Sequence, residues 1–303
     1  MTSQRVNIGH LELKNPVLTA SGCFGYGVEF DDFFDVSELG GICTKGLSLL
    51  PRLGNAPRRV CETPSGMLNS IGLANIGVEA FCRDKLPALR ERGVTVVANI
   101  FATSLDEFSE LARRLDRERG VHAIEVNVSC PNVTHGGIEF GRVPELAARV
   151  TARVRSMTHL PVWVKLSPEA GDIVAVARAC EAAGADALSA INTIRGMSID
   201  IERRRPRLAN RTGGLSGPAL RPIAVRVVWE VSGAVSIPVI AIGGIASASD
   251  ALEFLMAGAH AVQVGTANFA DPSAAKKVAD GIREFCKRHD CSITDVIGAA
   301  RHP

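Results

Sequence analysis

A short polar cluster follows an apolar run near the middle of the chain. The stretch 123–132 reads AIEVNVSCPN and begins with alternating β-branched residues, a pattern typical of a strand. The run ends at a proline, and Asn127, Ser129, Cys130 and Asn132 lie at that end. Two side-chain amides, which both donate and accept hydrogen bonds, fit a planar ligand with alternating C=O and N–H groups. The thiol between them could move a proton, because an ordinary cysteine has a pKa of about 8.5 and a nearby cation lowers it.

The same cluster also fits a plain strand end with an inert cysteine and turn-forming asparagines.

The net charge and the hydrophobicity of the sequence exclude some classes of function. A formal charge of +2 over 303 residues leaves no electrostatic footprint for nucleic acid. No apolar run is long enough to span a membrane, and residues 1–9 lack the apolar core of a signal peptide, so we expect a cytoplasmic protein.

Cysteine and histidine spacing argues against metal and disulfide sites. The eight cysteines of an unexported chain are expected to be thiols, and no CxxC pair occurs. Cys286 and Cys291 are too isolated to complete an iron–sulfur ligand set. The seven histidines form no HxH or HExxH pattern, so no metal site is expected. Apart from Cys130, the cysteines are expected to be small buried hydrophobic residues.

Strand-like and helical patterns alternate along the chain. The eight predicted strands span 16–20, 41–45, 95–100, 123–128, 161–166, 187–191, 238–242 and 261–264. The predicted helices span 77–92, 104–119, 144–157, 171–183, 218–232, 248–257 and 271–289, and Trp163 and Trp229 are expected in the core. A hairpin is expected at 6–13, whereas 47–75 shows no clear helix but is too apolar for disorder.

Eight short apolar strands alternating with helices predict an α/β fold, a (β/α)8 TIM barrel. We expect one domain over residues 1–303, with the N-terminal β-hairpin and inserted loops at the C-terminal face. An open doubly wound sheet is the alternative. It is weaker because that fold would favour a glycine-rich phosphate fingerprint after the first strand.

The chemistry of a barrel gathers at the carboxyl ends of its strands. Those ends carry Ser21, Lys45, Asn99, Asn127, Lys165, Asn192, Gly243–Gly244 and Gly265–Thr266. Lysine is seldom buried without an anionic partner, and glycine-containing pairs after the last two strands, Gly243–Gly244 and Gly265–Thr266, are typical of a phosphate site. Each pair alone also fits a tight turn. Together these residues suit a flavin, with Lys165 beside its N1/O2 edge and Cys130 removing a proton while the flavin takes a hydride.

At this point the chain resembles one family over nearly its whole length, the class 1 dihydroorotate dehydrogenases. The motifs that carry the resemblance are NPV at 15–17, ASG at 20–22, TKG at 44–46, PRLGN at 51–55, NSIGL at 69–73, NVSCPN at 127–132, INT at 191–193, GGLSG at 213–217, GGI at 243–245 and GT at 265–266. The resemblance implies oxidation of (S)-dihydroorotate to orotate in pyrimidine biosynthesis with one FMN per chain. It also implies a mobile lid over 131–141.

The resemblance assigns roles to residues of this chain. Cys130 matches the catalytic base. The implied substrate contacts are Lys45, Asn69, Ser70, Ile71, Gly72, Leu73, Asn127, Asn192 and Thr193, and we add Asn132 from the same motif. The implied FMN contacts are Ser21, Lys45, Gly46, Asn99, Asn127, Lys165, Ile191, Gly217, Gly243, Gly244, Gly265 and Thr266.

Three further motifs resemble the NAD-linked subtype, class 1B. They are GYG at 25–27, MLNSIG at 67–72 and GIEFG at 137–141. This subtype implies a homodimeric core that joins a second subunit carrying FAD and a [2Fe–2S] cluster, usually as a heterotetramer. The partner would bring the NAD site, for which this chain has no fingerprint. The alternatives are a fumarate-linked class 1A enzyme, a dihydropyrimidine dehydrogenase-like enzyme and a non-catalytic flavin-binding barrel.

The strongest charge run is Arg203–Arg-Arg-Pro-Arg207, followed by Arg211. A solvated loop after the sixth strand explains it most simply. The other interpretation is a contact for an acidic partner or for self-association.

Overall fold

Strands and helices alternate through most of the chain. The computed structural model describes residues 4–129 and 139–301. Its strands are β1 (Val6–Ile8), β2 (Leu11–Leu13), β3 (Val17–Thr19), β4 (Gly41–Cys43), β5 (Val60–Thr63), β6 (Gly66–Asn69), β7 (Val96–Ile100), β8 (Ala123–Asn127), β9 (Val162–Lys165), β10 (Ala187–Ala190), β11 (Ile194–Met197), β12 (Ile199–Asp200), β13 (Arg205–Pro206), β14 (Thr212–Ser216), β15 (Val239–Ile242) and β16 (Ala261–Val264). Its helices are α1 (Val78–Asp84), α2 (Leu86–Glu91), α3 (Leu105–Asp116), α4 (Pro144–Arg155), α5 (Ile173–Ala182), α6 (Arg221–Ser232), α7 (Ala248–Met256), α8 (Ala267–Ala270), α9 (Ala274–Arg288) and α10 (Ile293–Val296).

Eight of these strands close into a parallel barrel in the order β3-β4-β7-β8-β9-β10-β15-β16. The last strand pairs back with the first, where Val262 lies opposite Val17. Because nearly every side chain of these strands is buried, β-branched and small apolar residues fit both faces. The predicted TIM barrel is confirmed, and so is the N-terminal hairpin of β1 and β2.

Helix boundaries follow local signals in the sequence. Ser104 caps α3 by accepting a hydrogen bond from the Glu107 backbone N–H. Gly184 follows α5 with φ +93°, which is the left-handed conformation expected at a helix C-terminus. The predicted helix 77–92 is instead two helices that meet at Lys85, with Pro87 in the first turn of the second.

A second sheet covers part of the barrel mouth, and the sequence did not predict it. The segment 47–75 contains β5 and β6, which form an antiparallel sheet with β11 and β14 in the order β11-β14-β6-β5. In this sheet Gly214 lies opposite Asn69. The inserted segments at the C-terminal face therefore pair with each other in one sheet.

Some expectations about the core were wrong. Trp163 is fully buried, but Trp229 is 42 % exposed, and the Arg301 guanidinium lies 4.3 Å from its ring centroid. Of the cysteines described, four are buried and three are only partly buried, the latter being Cys23, Cys61 and Cys291. In residues 4–129 and 139–301 we find no helix with the length and apolarity to cross a bilayer.

Candidate active site

Two adjoining cavities open at the carboxyl ends of the barrel strands. One measures about 570 Å³ and lies over β15 and β16, and the other measures about 700 Å³ and lies over β4, β7 and β8. They share lining residues, among them Ser21, Lys165, Asn192 and Thr193, and together they form one cleft.

The cleft gathers every predicted site residue that the structure describes. The smaller cavity is lined by Ser21, Lys165, Ile191, Asn192, Thr193, Gly217, Gly243, Gly244, Gly265 and Thr266. The larger one adds Lys45, Gly46, Asn69, Ser70, Ile71, Gly72, Leu73, Asn99 and Asn127. Cys130 and Asn132, and most of the predicted lid 131–141, lie outside the described residues.

Glycines at one end of the cleft form a tightly packed backbone wall. Gly243 and Gly244 have φ of +133° and +75°, in the left-handed region that only glycine enters without strain. A Cβ on Gly244 would lie 2.9 Å from both the Arg221 backbone nitrogen and the Gly217 carbonyl oxygen. A side chain is thus excluded at Gly244. Both glycines line the cavity, and neither has a Cβ that would keep a ligand away from the main chain. An anion held by backbone N–H groups fits such a wall.

The helix after this wall is firmly capped. Ser247 accepts a hydrogen bond from the Asp250 backbone N–H, and the Asp250 carboxylate accepts one from the Ser247 backbone N–H. This capping box fixes the start of α7 directly behind the glycine pair. Ser247 is thus the N-cap of α7.

The two strand-end lysines differ in burial. Lys165, the last residue of β9, is 6 % exposed, and its Nζ lies 3.9 Å from Glu125 Oε1. Lys45 follows β4 and is only partly buried, so of the two strand-end lysines only Lys165 is buried. The backbone beside Lys45 is crowded, because a Cβ on Gly46 would lie 3.0 Å from Asn99 Oδ1.

Amide groups converge on the opposite side of the cleft. Asn127 Oδ1 accepts hydrogen bonds from Asn192 Nδ2 at 3.2 Å and from the Ser129 backbone N–H at 3.1 Å. Asn192 Oδ1 in turn accepts the Thr193 N–H at 2.8 Å. These bonds fix which way both amides point, with Asn192 Nδ2 as the donor of the pair and Asn127 Oδ1 as the acceptor.

The segment 69–73 reaches the cleft through the second sheet. Asn69 Nδ2 donates to the Gly214 carbonyl at 3.3 Å. Gly72 has φ +73° and packs so closely that a Cβ there would lie 2.5 Å from the Asn55 nitrogen. The buried Ser70 hydroxyl has no partner in the part of the chain that the structure describes, so it is available to a ligand.

Sequence reasoning missed several residues that matter at this site. Cys23, Met67 and Phe269 line both cavities, and Phe269 is 58 % exposed at the rim. Burial raises the pKa of the Cys23 thiol to about 11, against smaller opposing effects from Lys165 and Lys45. Glu125 was also missed. A charged residue inside an otherwise apolar strand was the signal that could have identified it.

Comparison with known proteins finds relatives over nearly the whole chain. Residues 3–286 match the family model described as dihydroorotate dehydrogenase. A protein of Geotalea daltonii is 55 % identical over 297 residues, which cover 98 % of this chain and 97 % of that protein. A protein of Trichlorobacter lovleyi is 57 % identical over 295 residues, 97 % of each chain, and one of Solidesulfovibrio magneticus is 57 % identical over 281 residues, 92 % of each. All three are named dihydroorotate dehydrogenase B (NAD(+)), catalytic subunit.

Proposed function

Because this chain belongs to the dihydroorotate dehydrogenase family, we propose that it oxidises (S)-dihydroorotate to orotate in pyrimidine biosynthesis, as the catalytic subunit of an NAD⁺-linked enzyme. One observation carries the proposal. All of the predicted contact residues within 4–129 and 139–301, although they come from distant parts of the chain, line the same cleft.

The residues of the cleft fit FMN. Gly243 and Gly244 line the smaller cavity, and because neither has a Cβ, a phosphate could lie against their main chain. Asn99 Oδ1 is buried and has no partner among the described residues, so it offers an acceptor to a ring N–H. Lys165 supplies a buried cation for the N1/O2 edge of the ring.

The remaining residues would hold the substrate. The amides of Asn69, Asn127 and Asn192 supply both donors and acceptors for the alternating C=O and N–H groups of dihydroorotate. FMN, held in the cleft by the residues above, would supply the acceptor for the hydride that leaves one substrate carbon. We assign to Cys130 the removal of a proton from the neighbouring carbon, so that the two lost hydrogens leave a C=C bond.

A partner subunit completes the proposal. The relatives are named as catalytic subunits, which supports a second chain that receives the electrons. We propose that this partner carries FAD and a [2Fe–2S] cluster and passes the electrons to NAD⁺. The catalytic chains would form a cytoplasmic homodimer within a heterotetramer.

The test uses the purified chain with FMN, alone and with its partner subunit. Orotate should form from dihydroorotate with an artificial electron acceptor, whereas NAD⁺ should be reduced at full rate only when the partner is present. Full-rate NAD⁺ reduction by the chain alone would refute the partner, and efficient turnover with fumarate would identify the class 1A alternative. If uracil rather than orotate perturbs the flavin spectrum, the substrate assignment fails in favour of a dihydropyrimidine dehydrogenase-like activity.

A variant of the proposed base adds a second test. Cys130→Ser should retain bound FMN and slow its reduction by dihydroorotate at neutral pH by about 10² to 10⁴, the usual contribution of a general base. Unchanged reduction would rule out the role of Cys130.

A further inference from the structure

A fully buried carboxylate lies inside the barrel behind the cleft. Glu125 is in the middle of β8 and is 0 % exposed. Its Oε1 accepts from Asn99 Nδ2 at 2.7 Å and from Cys43 Sγ at 3.2 Å, and its Oε2 accepts from Ser189 Oγ at 2.6 Å and from Gln263 Nε2 at 2.7 Å. Four donors from four other barrel strands therefore satisfy this carboxylate.

The charge of Glu125 faces a lysine of the cleft. Lys165 Nζ lies 3.9 Å from Glu125 Oε1, with both groups shielded from water. Burial acts to raise the pKa of Glu125, but Lys165 and the hydrogen bonds from Ser189, Gln263 and Asn99 outweigh burial and lower it. The carboxylate is thus held ionised and balances a cation that lines the cleft.

Glu125 also decides which atom of Asn99 faces the ligand. The two residues lie opposite each other in the pairing of β7 with β8. Because Asn99 Nδ2 donates to the carboxylate, the amide cannot rotate without losing that bond and bringing two acceptor oxygens together. Asn99 Oδ1 is consequently left as a buried acceptor without a partner in the described chain, next to Gly46.

We propose that Glu125 is a positioning residue for the flavin, which sets the reduction potential of the bound ring through Lys165 and Asn99. The proposal rests on the proposed FMN function and deepens it. Reduction adds negative charge to the ring, and a cation beside it favours that change. Glu125 offsets the cation, so removing its charge should make the bound flavin easier to reduce.

A purely structural role makes a different prediction. If Glu125 only fills the barrel interior, its loss changes stability without a directed effect on the flavin. Breaking a buried ion pair by removing one partner is destabilising whatever the pair does. Stability alone cannot separate the two roles, whereas the potential of the flavin can.

The experiment measures the midpoint potential of bound FMN by equilibration with redox dyes. Glu125→Gln keeps the shape of the side chain and removes its charge. Ser189→Ala is the matched control, because it removes one hydrogen bond to the same carboxylate and keeps the charge. For Glu125→Gln we expect at least a tenfold rise in the ratio of reduced to oxidised flavin at a fixed solution potential. For a two-electron couple that rise is a shift of about 30 mV to more positive potential.

The outcomes separate the two proposals. A potential that is unchanged in Glu125→Gln, that moves to more negative values, or that shifts equally in Ser189→Ala overturns the role of Glu125. In each of those cases FMN is bound and the proposed function stands. A wild-type chain that cannot be loaded with FMN overturns the proposed function itself.

An infrared measurement covers the case in which Glu125→Gln does not fold. The protein is prepared with ¹³C-labelled glutamate as a Glu62→Gln variant, which lacks the glutamate that lines the cleft. Its infrared spectrum is then compared before and after reduction of the flavin. We expect an isotope-shifted carboxylate band in the difference spectrum, because Glu125 responds to charge placed near Lys165. Absence of any glutamate band overturns the proposal.

Discussion

Gly244→Ala tests the glycine wall of the cleft. The residue has φ +75°, and an added Cβ would lie 2.8 Å from the Arg221 Cβ and 2.9 Å from the Gly217 carbonyl oxygen. Two of its closest neighbours, that oxygen and the Arg221 backbone nitrogen, belong to the main chain, so a side-chain rotation cannot relieve the contact. We therefore expect the loop after β15 to shift.

The magnitude follows from two separate effects. A left-handed conformation costs a residue with a Cβ about 1–2 kcal/mol. Overpacking a tight site costs about 1–3 kcal/mol more. Gly93→Ala is the matched control, because Gly93 has φ +65° but an added Cβ meets nothing within 4 Å. The free energy of unfolding should thus be about 1–3 kcal/mol lower for Gly244→Ala than for Gly93→Ala.

Urea unfolding of the FMN-free protein measures this difference, and an FMN titration measures the effect on the site. We expect Gly244→Ala to bind FMN at least about tenfold more weakly, a loss of about 1.4 kcal/mol, while Gly93→Ala binds normally. Equal unfolding free energies together with equal FMN affinities in the two variants would refute the proposed role of the wall.

Three further predictions concern charge, capping and the thiol of the cleft. Burial acts to raise the pKa of Glu125, but the ion pair with Lys165 and the hydrogen bonds outweigh burial and hold the pKa below the ordinary 4.5. The ionised carboxylate therefore stabilises the fold fully above pH 4.5, and this stabilisation is lost as the pH falls further. Urea unfolding from about pH 6 to about pH 3.5 should show less acid destabilisation for Glu125→Gln than for wild type, and an equal loss would contradict this. Ser247→Ala breaks the capping box with Asp250 and should lower the unfolding free energy by about 1 kcal/mol, whereas no change in urea midpoint would argue against the cap. Burial raises the pKa of Cys23 to about 11, so mass spectrometry should find slow alkylation near pH 8, and alkylation as fast as that of an exposed cysteine would oppose the prediction.

The barrel could be predicted from the sequence because its signals are local. Buried β-branched runs mark the strands, and Gly184 or Ser104 marks where a helix ends or begins. The second sheet could not be predicted in the same way. Its strand β14 is rich in glycine, which has low β-propensity, and Asn69 pairs there with Gly214 far along the chain.

The candidate site shows the same division. Residues at strand ends, such as Lys165 and Asn127, could be found because barrel topology brings those ends together. Glu125 lies in the middle of a strand. The hydrogen bonds that keep it ionised come from donors on four other strands, and no local sequence pattern reveals those donors. Trp229 was misplaced because hydrophobicity alone does not show that Arg301 covers an outward-facing ring.

The most direct test of the proposed function is the visible spectrum of the purified, FMN-loaded chain without oxygen, before and after addition of dihydroorotate. The chain should reduce its own flavin without the partner, so we expect the flavin absorption band to bleach and orotate to appear in equal amount. A bound flavin whose band stays unchanged by dihydroorotate would contradict the proposed reaction.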